Sequence, residues 1–181
     1  TSYTQVDAGY YHTIAVRSDG NLVGWGDNFF AVLNIAPLPN GVSYTQVMAG
    51  RGHSLALRSD GAAVAWGYNY FHEADVPALP PGLTYTAIAA GVYHSAAVRS
   101  DGALLRWGYN YHGQLGVPAL PAGMTYRQVT AGGGNSHLLR SDGEVLAWGD
   151  NYQGQSAPPA LPPGLTYVDV EAGSAPSVAL R

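Results

Sequence analysis

The sequence has no cysteine, no lysine and little charge of either sign, with only 11% of its residues charged. The missing cysteine excludes a disulfide framework, a thiolate zinc site and a cysteine nucleophile. All eight basic residues are arginine, and the formal net charge is −4. Neither the basic footprint of a nucleic-acid binder nor a polybasic patch for acidic lipid is present, so no nucleic-acid or membrane partner is expected. No apolar run approaches the length of a membrane span, and no signal-peptide pattern opens the chain. The first residue is Thr1 rather than Met, as in a processed or excised product. The absence of lysine, beside abundant Tyr, Asn and Gly, favours a secreted or extracellular protein over a cytoplasmic one.

What the chain does contain is a repeat. Tryptophan occurs four times, at Trp25, Trp66, Trp107 and Trp148, always 41 residues apart. Ala8-Gly9, Ala49-Gly50, Ala90-Gly91, Ala131-Gly132 and Ala172-Gly173 keep the same step, as do Tyr3, Tyr44, Tyr85, Tyr126 and Tyr167. Four whole repeats (1–41, 42–82, 83–123 and 124–164) and a half repeat (165–181) divide the chain without insertion or deletion. Such a fixed step is the mark of a repeat architecture.

In the first unit, Tyr3–Ala8 and His12–Arg17 read as strands, and Leu22–Gly26 as a third that carries Trp25. Asp19-Gly20 signals a tight hairpin, with both residues expected at positive φ. A short fourth segment is expected before Pro37-Leu38-Pro39, where proline withholds the donors a ladder needs. No window has the helical period. Strands of this number per unit predict an all-β fold, a β-propeller of 41-residue blades with about four and a half blades in this chain. A β-solenoid ranks lower, since its coils are shorter and lack hairpin turns.

The unit Ala90-Gly91-Val92-Tyr93-His94-Ser95, followed by Ser100-Asp101-Gly102 and by Trp107-Gly108-Tyr109-Asn110-Tyr111-His112-Gly113-Gln114, resembles the regulator-of-chromosome-condensation repeat. The resemblance spans the whole chain. The Gly154-Gln155 to Pro158-Pro159 form is more similar to bacterial members, among them a secreted propeller that inhibits β-lactamases. The resemblance implies a propeller, usually of seven blades, and varied work: nucleotide exchange on a small GTPase, enzyme inhibition, light sensing and adaptor roles. No insertion here could supply the exchange factor's protruding loop, and the four tryptophans occupy the repeat's own position, so neither exchange nor light sensing carries over. Seven units would need roughly 290 residues. The chain is therefore expected to be part of a longer propeller, or to be completed by copies of itself as a homo-oligomer.

The candidate sites sort by repeat position. His12, His53 and His94 share one column, continued by Asn135 and Pro176, and one histidine per blade suits packing better than a metal. Asp19, Asp60, Asp101 and Asp142 belong to hairpin turns, and a glycosidase would need two carboxylates ~5–10 Å apart. The preceding arginine column, Arg17 to Arg181, could bind an anion if a ring gathered it, but is expected to pair with those aspartates or stay solvated. His53 and Ser54 are adjacent in a strand and face opposite ways, so no Ser-His-Asp triad forms there. No catalytic residue, cofactor or metal is expected.

Variation within the fixed spacing is more informative. After each Trp-Gly come Asp27-Asn28-Phe29-Phe30, Tyr68-Asn69-Tyr70-Phe71, Tyr109-Asn110-Tyr111-His112 and Asp150-Asn151-Tyr152-Gln153. The second variable set is Tyr10-Tyr11, Arg51-Gly52, Val92-Tyr93 and Gly133-Gly134. The Asn reads as a turn former, and the aromatic after it as partly packing. Rigid repeats with variable aromatic and arginine loops build binding faces. The partner-binding candidates are Tyr10, Tyr11, Phe29, Phe30, Arg51, Tyr68, Tyr70, Phe71, Tyr93, Tyr109, Tyr111, His112 and Tyr152. A non-enzymatic scaffold for a protein partner, as inhibitor or adaptor, is the leading expectation. A self-assembling structural protein and a carbohydrate-binding propeller are the alternatives.

Overall fold

Each 41-residue unit folds as one antiparallel sheet whose strands pair in chain order. The computed structural model describes residues 2–117, 119–173 and 177–181. The first blade holds β1 (Tyr3–Ala8), β2 (His12–Arg17) and β3 (Leu22–Gly26), and the second holds β4 (Tyr44–Ala49), β5 (His53–Arg58) and β6 (Ala63–Gly67). The third is β7 (Tyr85–Ala90), β8 (His94–Arg99) and β9 (Leu104–Gly108), and the fourth β10 (Tyr126–Ala131), β11 (Asn135–Arg140) and β12 (Val145–Gly149). A two-stranded half-blade, β13 (Asp169–Ala172) and β14 (Ser177–Leu180), follows. The fold is an all-β propeller arc, and no helix occurs among the described residues.

Two local expectations are corrected. The short fourth segment forms no strand, so each full blade has three. Its backbone groups are used in successive turns, with Ala31 N–H donating to the Asn28 carbonyl (2.9 Å) and Asn34 N–H to that of Ala31 (3.0 Å). The hairpin is also not a two-residue turn with paired positive φ. Arg17 and Asn21 close a three-residue loop through Arg17 N–H to the Asn21 carbonyl (2.8 Å), and of the loop residues only Gly20 has positive φ, at 78°. This is the type I turn with a left-handed glycine that commonly caps such hairpins. Asp19 stabilises it by accepting the Asn21 N–H at 3.1 Å.

The core is divided into slabs between neighbouring blades. Ile14 and Val16 of the first blade pack with Tyr44, Val47 and Ala49 of the second. Leu55 and Leu57 meet Tyr85 and Ile88 in the same way, and Val98 and Leu104 meet Val129 and Trp148. A blade buries its two faces only against neighbours, and the two ends of the arc show the consequence. Val6 is 53% exposed whereas its repeat counterpart Val47 is fully buried. Val178 and Leu180 are 69% and 62% exposed where Ile14 and Val16 are buried. Trp25 is exposed, because none of the described blades packs against it, while Trp107 and Trp148 are buried.

Polar side chains lock the blades together. Gln5 donates to the Val47 carbonyl (2.8 Å) and accepts the Val47 N–H (2.9 Å). Gln46 and Gln128 clamp Ile88 and Val170 in the same two-way manner. The third blade carries Ala87 at this position and has no such clamp. Asp7 accepts the Ala49 N–H at 2.6 Å, and burial raises its carboxyl above the usual range.

Candidate functional site

In each blade the first residue of the second strand pairs with the last of the third, as His12 does with Gly26. The turn after Ala8 and the loop after Gly26 therefore leave the sheet at the same end, and Asp27 N–H donates to the Tyr11 carbonyl across them (2.8 Å). Both variable sets thus lie on one rim, and the Asp-Gly hairpins lie on the other. At that opposite rim Arg17 pairs with Asp19 at 2.6 Å, and Arg58, Arg99 and Arg140 pair with Asp60, Asp101 and Asp142. The five Ala-Gly pairs converge on a central opening of about 200 Å³, beside Tyr10, Arg51 and Val92.

The rim loops are held from within. The Asn28, Asn69, Asn110 and Asn151 side chains accept the N–H of Leu33, Ala74, Leu115 and Ser156 at 2.8–2.9 Å. Glu73, Gln114 and Gln155 reach back to the N–H of Phe71, His112 and Gln153. Gly113 and Gly154 take left-handed backbone in two loops, and Ala31 and His72 hold the same conformation in the others, at φ 59° and 65°. A non-glycine residue there is strained by roughly 1–2 kcal/mol, so these loops are fixed by their hydrogen bonds rather than by local preference.

The rings on this frame form a continuous band. Phe29 meets Phe30 at 4.9 Å, Phe30 meets Tyr68 at 4.9 Å, and Phe71 meets Tyr93 at 5.1 Å and Tyr109 at 4.7 Å. Tyr70 contacts Tyr68 and Phe71, and Tyr111 contacts Tyr109 and His112. Phe29, Tyr70 and Tyr111 are 82%, 75% and 80% exposed. The aromatic after the Asn is thus turned to solvent, not packed as the sequence reading allowed. Tyr10 and Tyr11 contact each other and join the band through Arg51, whose guanidinium carbon lies 5.8 Å from the Tyr10 ring and 5.2 Å from that of Tyr93. Tyr152 is exposed and makes no ring contact among the described residues.

Sequence reasoning missed two parts of this rim. A cleft of about 400 Å³ opens at Arg51 and Gly52 beneath the rings of the first three blades, and Asp27 lines it. The signal was that Arg51 alone among the variable turn residues Tyr10, Arg51, Val92 and Gly133 carries a charge.

Beneath the rim, each buried histidine contacts the next blade. His12 Nε2 lies 2.8 Å from the Ser54 hydroxyl, His53 3.0 Å from that of Ser95, and His94 2.8 Å from that of Ser136. The Ser95 hydroxyl donates to the Glu73 carbonyl (2.8 Å), so His53 is the donor to Ser95 and carries its proton on Nε2. The same Glu73 carbonyl accepts the Trp107 indole N–H at 2.8 Å. Burial lowers His53 to about 3 and His94 to about 4, so both are neutral at physiological pH. Ser54 faces the first blade while His53 faces the third, so the two cannot act as a catalytic pair. The fifth member of this column, Pro176, lies outside the described residues. No cluster of three or more His, Asp or Glu side chains suited to a metal occurs among the described residues.

An arc of antiparallel blades with side-chain clamps between them, and loops gathered on one rim, defines a β-propeller repeat protein. The pattern of the Regulator of chromosome condensation (RCC1) repeat matches residues 3–31, 44–73, 85–114 and 126–155, and the chain belongs to this family. Yeast RCC1 (Prp20), solved bound to Kap60, is similar at 23% identity and a TM-score of 0.81 over 98% of this chain and 54% of that one. A second structure of Prp20p from Saccharomyces cerevisiae, described with its binding to Gsp1p and histones, gives 22% and 0.80 over 97% of this chain and 54% of that one. Human WBSCR16 gives 18% and 0.82 over 99% of this chain and 59% of that one. The chain thus spans little more than half the length of these structures, and at such identity they establish the fold. No curated protein matches it.

Proposed function

We propose that the chain is a non-enzymatic scaffold that holds a protein partner on its aromatic rim, as an inhibitor or adaptor. The observation that carries this reading is the unbroken band of ring contacts from Phe29 to His112, with Phe29, Tyr70 and Tyr111 directed outward from loops fixed at their base. Rigid aromatic side chains on such a frame supply contact area with little loss of side-chain entropy, which is why they anchor protein interfaces. That Prp20 is described with protein partners supports the same class of work. The test compares the protein with a Tyr70→Ser, Tyr111→Ser variant in affinity capture from the source organism. The variant is expected to keep its melting temperature and lose the captured partner. Unchanged capture refutes the reading, and glycan binding abolished by the same pair would replace it with a carbohydrate function.

A second reading, completion of the propeller between copies, is favoured by one observation: the apolar faces at both ends of the arc, at Val6 and Trp25 and at Val178 and Leu180, are exposed. Sedimentation at increasing concentration tests it. Association that Val178→Asp with Leu180→Asp abolishes would support it, and a monomer at every concentration would rule it out.

A further inference from the structure

We propose that the cleft above Gly52 is an anchoring pocket for an aspartate or glutamate of the partner protein, carried on an extended segment between apolar residues, with Arg51 as its counter-ion. This inference rests on the protein-binding reading and specifies the partner's chemistry.

Arg51 is set apart by its place between two rings: Arg127 and Arg181 are also without an ion pair among the described residues, but both are exposed and neither lies over an aromatic ring. Arg17, Arg58, Arg99 and Arg140 pair with hairpin aspartates on the far rim, and Arg106 donates to the Leu115 and Leu104 carbonyls. Among the described residues no carboxylate lies within ion-pair distance of Arg51, and its guanidinium makes no hydrogen bond. It is held instead between the Tyr10 and Tyr93 rings. These cation–π contacts take up no N–H donor, so the forked donors remain available to match the two oxygens of a carboxylate.

The cleft beside it has a floor of closely packed backbone and rings at Gly52. Tyr11 and Tyr93 occupy the equivalent positions in the first and third blades, and Gly52 stands between them. A Cβ on Gly52 would come within 3.0 Å of the Phe30 ring and 3.1 Å of the Tyr68 Cβ, so Phe30 and Tyr68 close over the space a tyrosine would fill. Phe30, Tyr68 and Tyr93 give apolar walls, which strengthen an ion pair formed at Arg51 by excluding water. Asp27 also lines the cleft, and its carboxylate is turned to the Phe29 N–H at 2.7 Å. It opposes a second negative charge on its own wall, which directs an incoming carboxylate to the Arg51 side.

The ring geometry disfavours a sugar here. Stacking on a sugar needs open ring faces, whereas Phe30 meets Tyr68 edge-on at 68° and Phe71 meets Tyr93 edge-on at 66°, which leaves Phe29 as the most exposed ring of the cleft. Arg51 lies over the Tyr10 and Tyr93 rings as well.

The experiment pans a phage-displayed random peptide library on the immobilised chain and measures the enriched peptides, as synthetic probes, by fluorescence anisotropy. Enrichment of Asp or Glu between apolar residues is expected. Arg51→Ala should weaken those peptides by about tenfold or more, with Arg51→Lys intermediate because it lacks the planar fork. Gly52→Tyr, which restores the tyrosine of the neighbouring blades, should abolish binding, and Arg17→Ala on the opposite rim should leave it unchanged. Peptides without an acidic residue, or equal binding to Arg51→Ala, overturn the carboxylate anchor. The rim reading then survives if Tyr70→Ser with Tyr111→Ser still abolishes partner capture. A library that yields no binder, or glycan-array binding that depends on Arg51, also overturns the proposal. Should Gly52→Tyr fail to fold, Arg51→Ala and Arg51→Lys decide the matter alone.

Discussion

His53 Nε2 lies 3.0 Å from the Ser95 hydroxyl, joining the second blade to the third at a point where both side chains are fully buried. Asn135 occupies the equivalent position in the fourth blade and reaches the Ser177 hydroxyl at 3.2 Å. His53→Asn should therefore keep a donor to Ser95 and cost less than His53→Ala. The alanine variant removes the ring and its hydrogen bond, at a cost on the order of 2–4 kcal/mol. Urea unfolding of both variants checks the order, and equal losses would show that the hydrogen bond contributes little.

The same histidines make the fold sensitive to acid. In the unfolded chain they take up a proton near pH 6.5, whereas burial holds His53 near 3 and His94 near 4 in the folded state and lowers His12 as well. The unfolded state then binds more protons below pH 6.5, so stability is full above that pH and is lost as pH falls towards the folded values. Each buried histidine contributes a slope of up to about 1.4 kcal/mol per pH unit. The exposed aspartates Asp19, Asp60, Asp101 and Asp142 lose stability only nearer their ordinary value of 3.8, below the histidine window, whereas the raised carboxyls of Asp7, Glu73 and Glu171 act in the opposite sense. Urea midpoints should fall in that window, and fall less steeply in His53→Asn with His94→Asn.

Glu73 stands where the next two blades have Gln114 and Gln155. One of its oxygens accepts the Phe71 N–H, and Oε1 is buried without a partner. Burial raises its carboxyl above the ordinary 4.5. The folded state thus resists ionising it, and the associated stability, present at low pH, is lost as pH rises through the folded value. Glu73→Gln should raise stability at pH 7 by on the order of 1 kcal/mol and change little at pH 4. Thermal unfolding at the two pH values measures the difference, and a destabilised variant at pH 7 would show that the carboxylate is satisfied when charged.

Gln46 holds both the N–H and the carbonyl of Ile88, and Ile88 is fully buried. Gln46→Ala leaves these two groups without their partner, at a cost of roughly 1–3 kcal/mol. Amide exchange at Ile88 should accelerate more than at Val170, which Gln128 still clamps. In the converse change, Ala87→Gln should slow exchange at Val129. No acceleration at Ile88 would mean that apolar packing alone closes the interface.

Much of this architecture was legible along the chain. The strands Tyr3–Ala8, His12–Arg17 and Leu22–Gly26 were readable to the residue, because alternation, β-branched residues and glycine stops act locally. The pairing of the arginine column with the turn aspartates was readable for the same reason. The hairpin type was not, since Asp-Gly suits more than one turn and the Asn21 N–H captured by Asp19 selects among them. Nor was the exposure of Trp25, because burial of that column depends on whether another blade stands against it.

By itself the sequence determined the 41-residue blade, its three strands and the repeat family, since strand pattern and turn chemistry recur in every unit. Only the tertiary structure decided that the Tyr10–Arg51 turns and the Phe29–Tyr111 loops share one rim, that Phe29, Tyr70 and Tyr111 face solvent, and that Arg51 sits between two rings. Those relationships arise between blades. Gln5 reaches Val47 and His53 reaches Ser95, each one residue beyond the repeat step. That offset follows from strand alternation, since a side chain facing the next blade meets the residue whose own side chain faces back, and only stacked blades bring the two together.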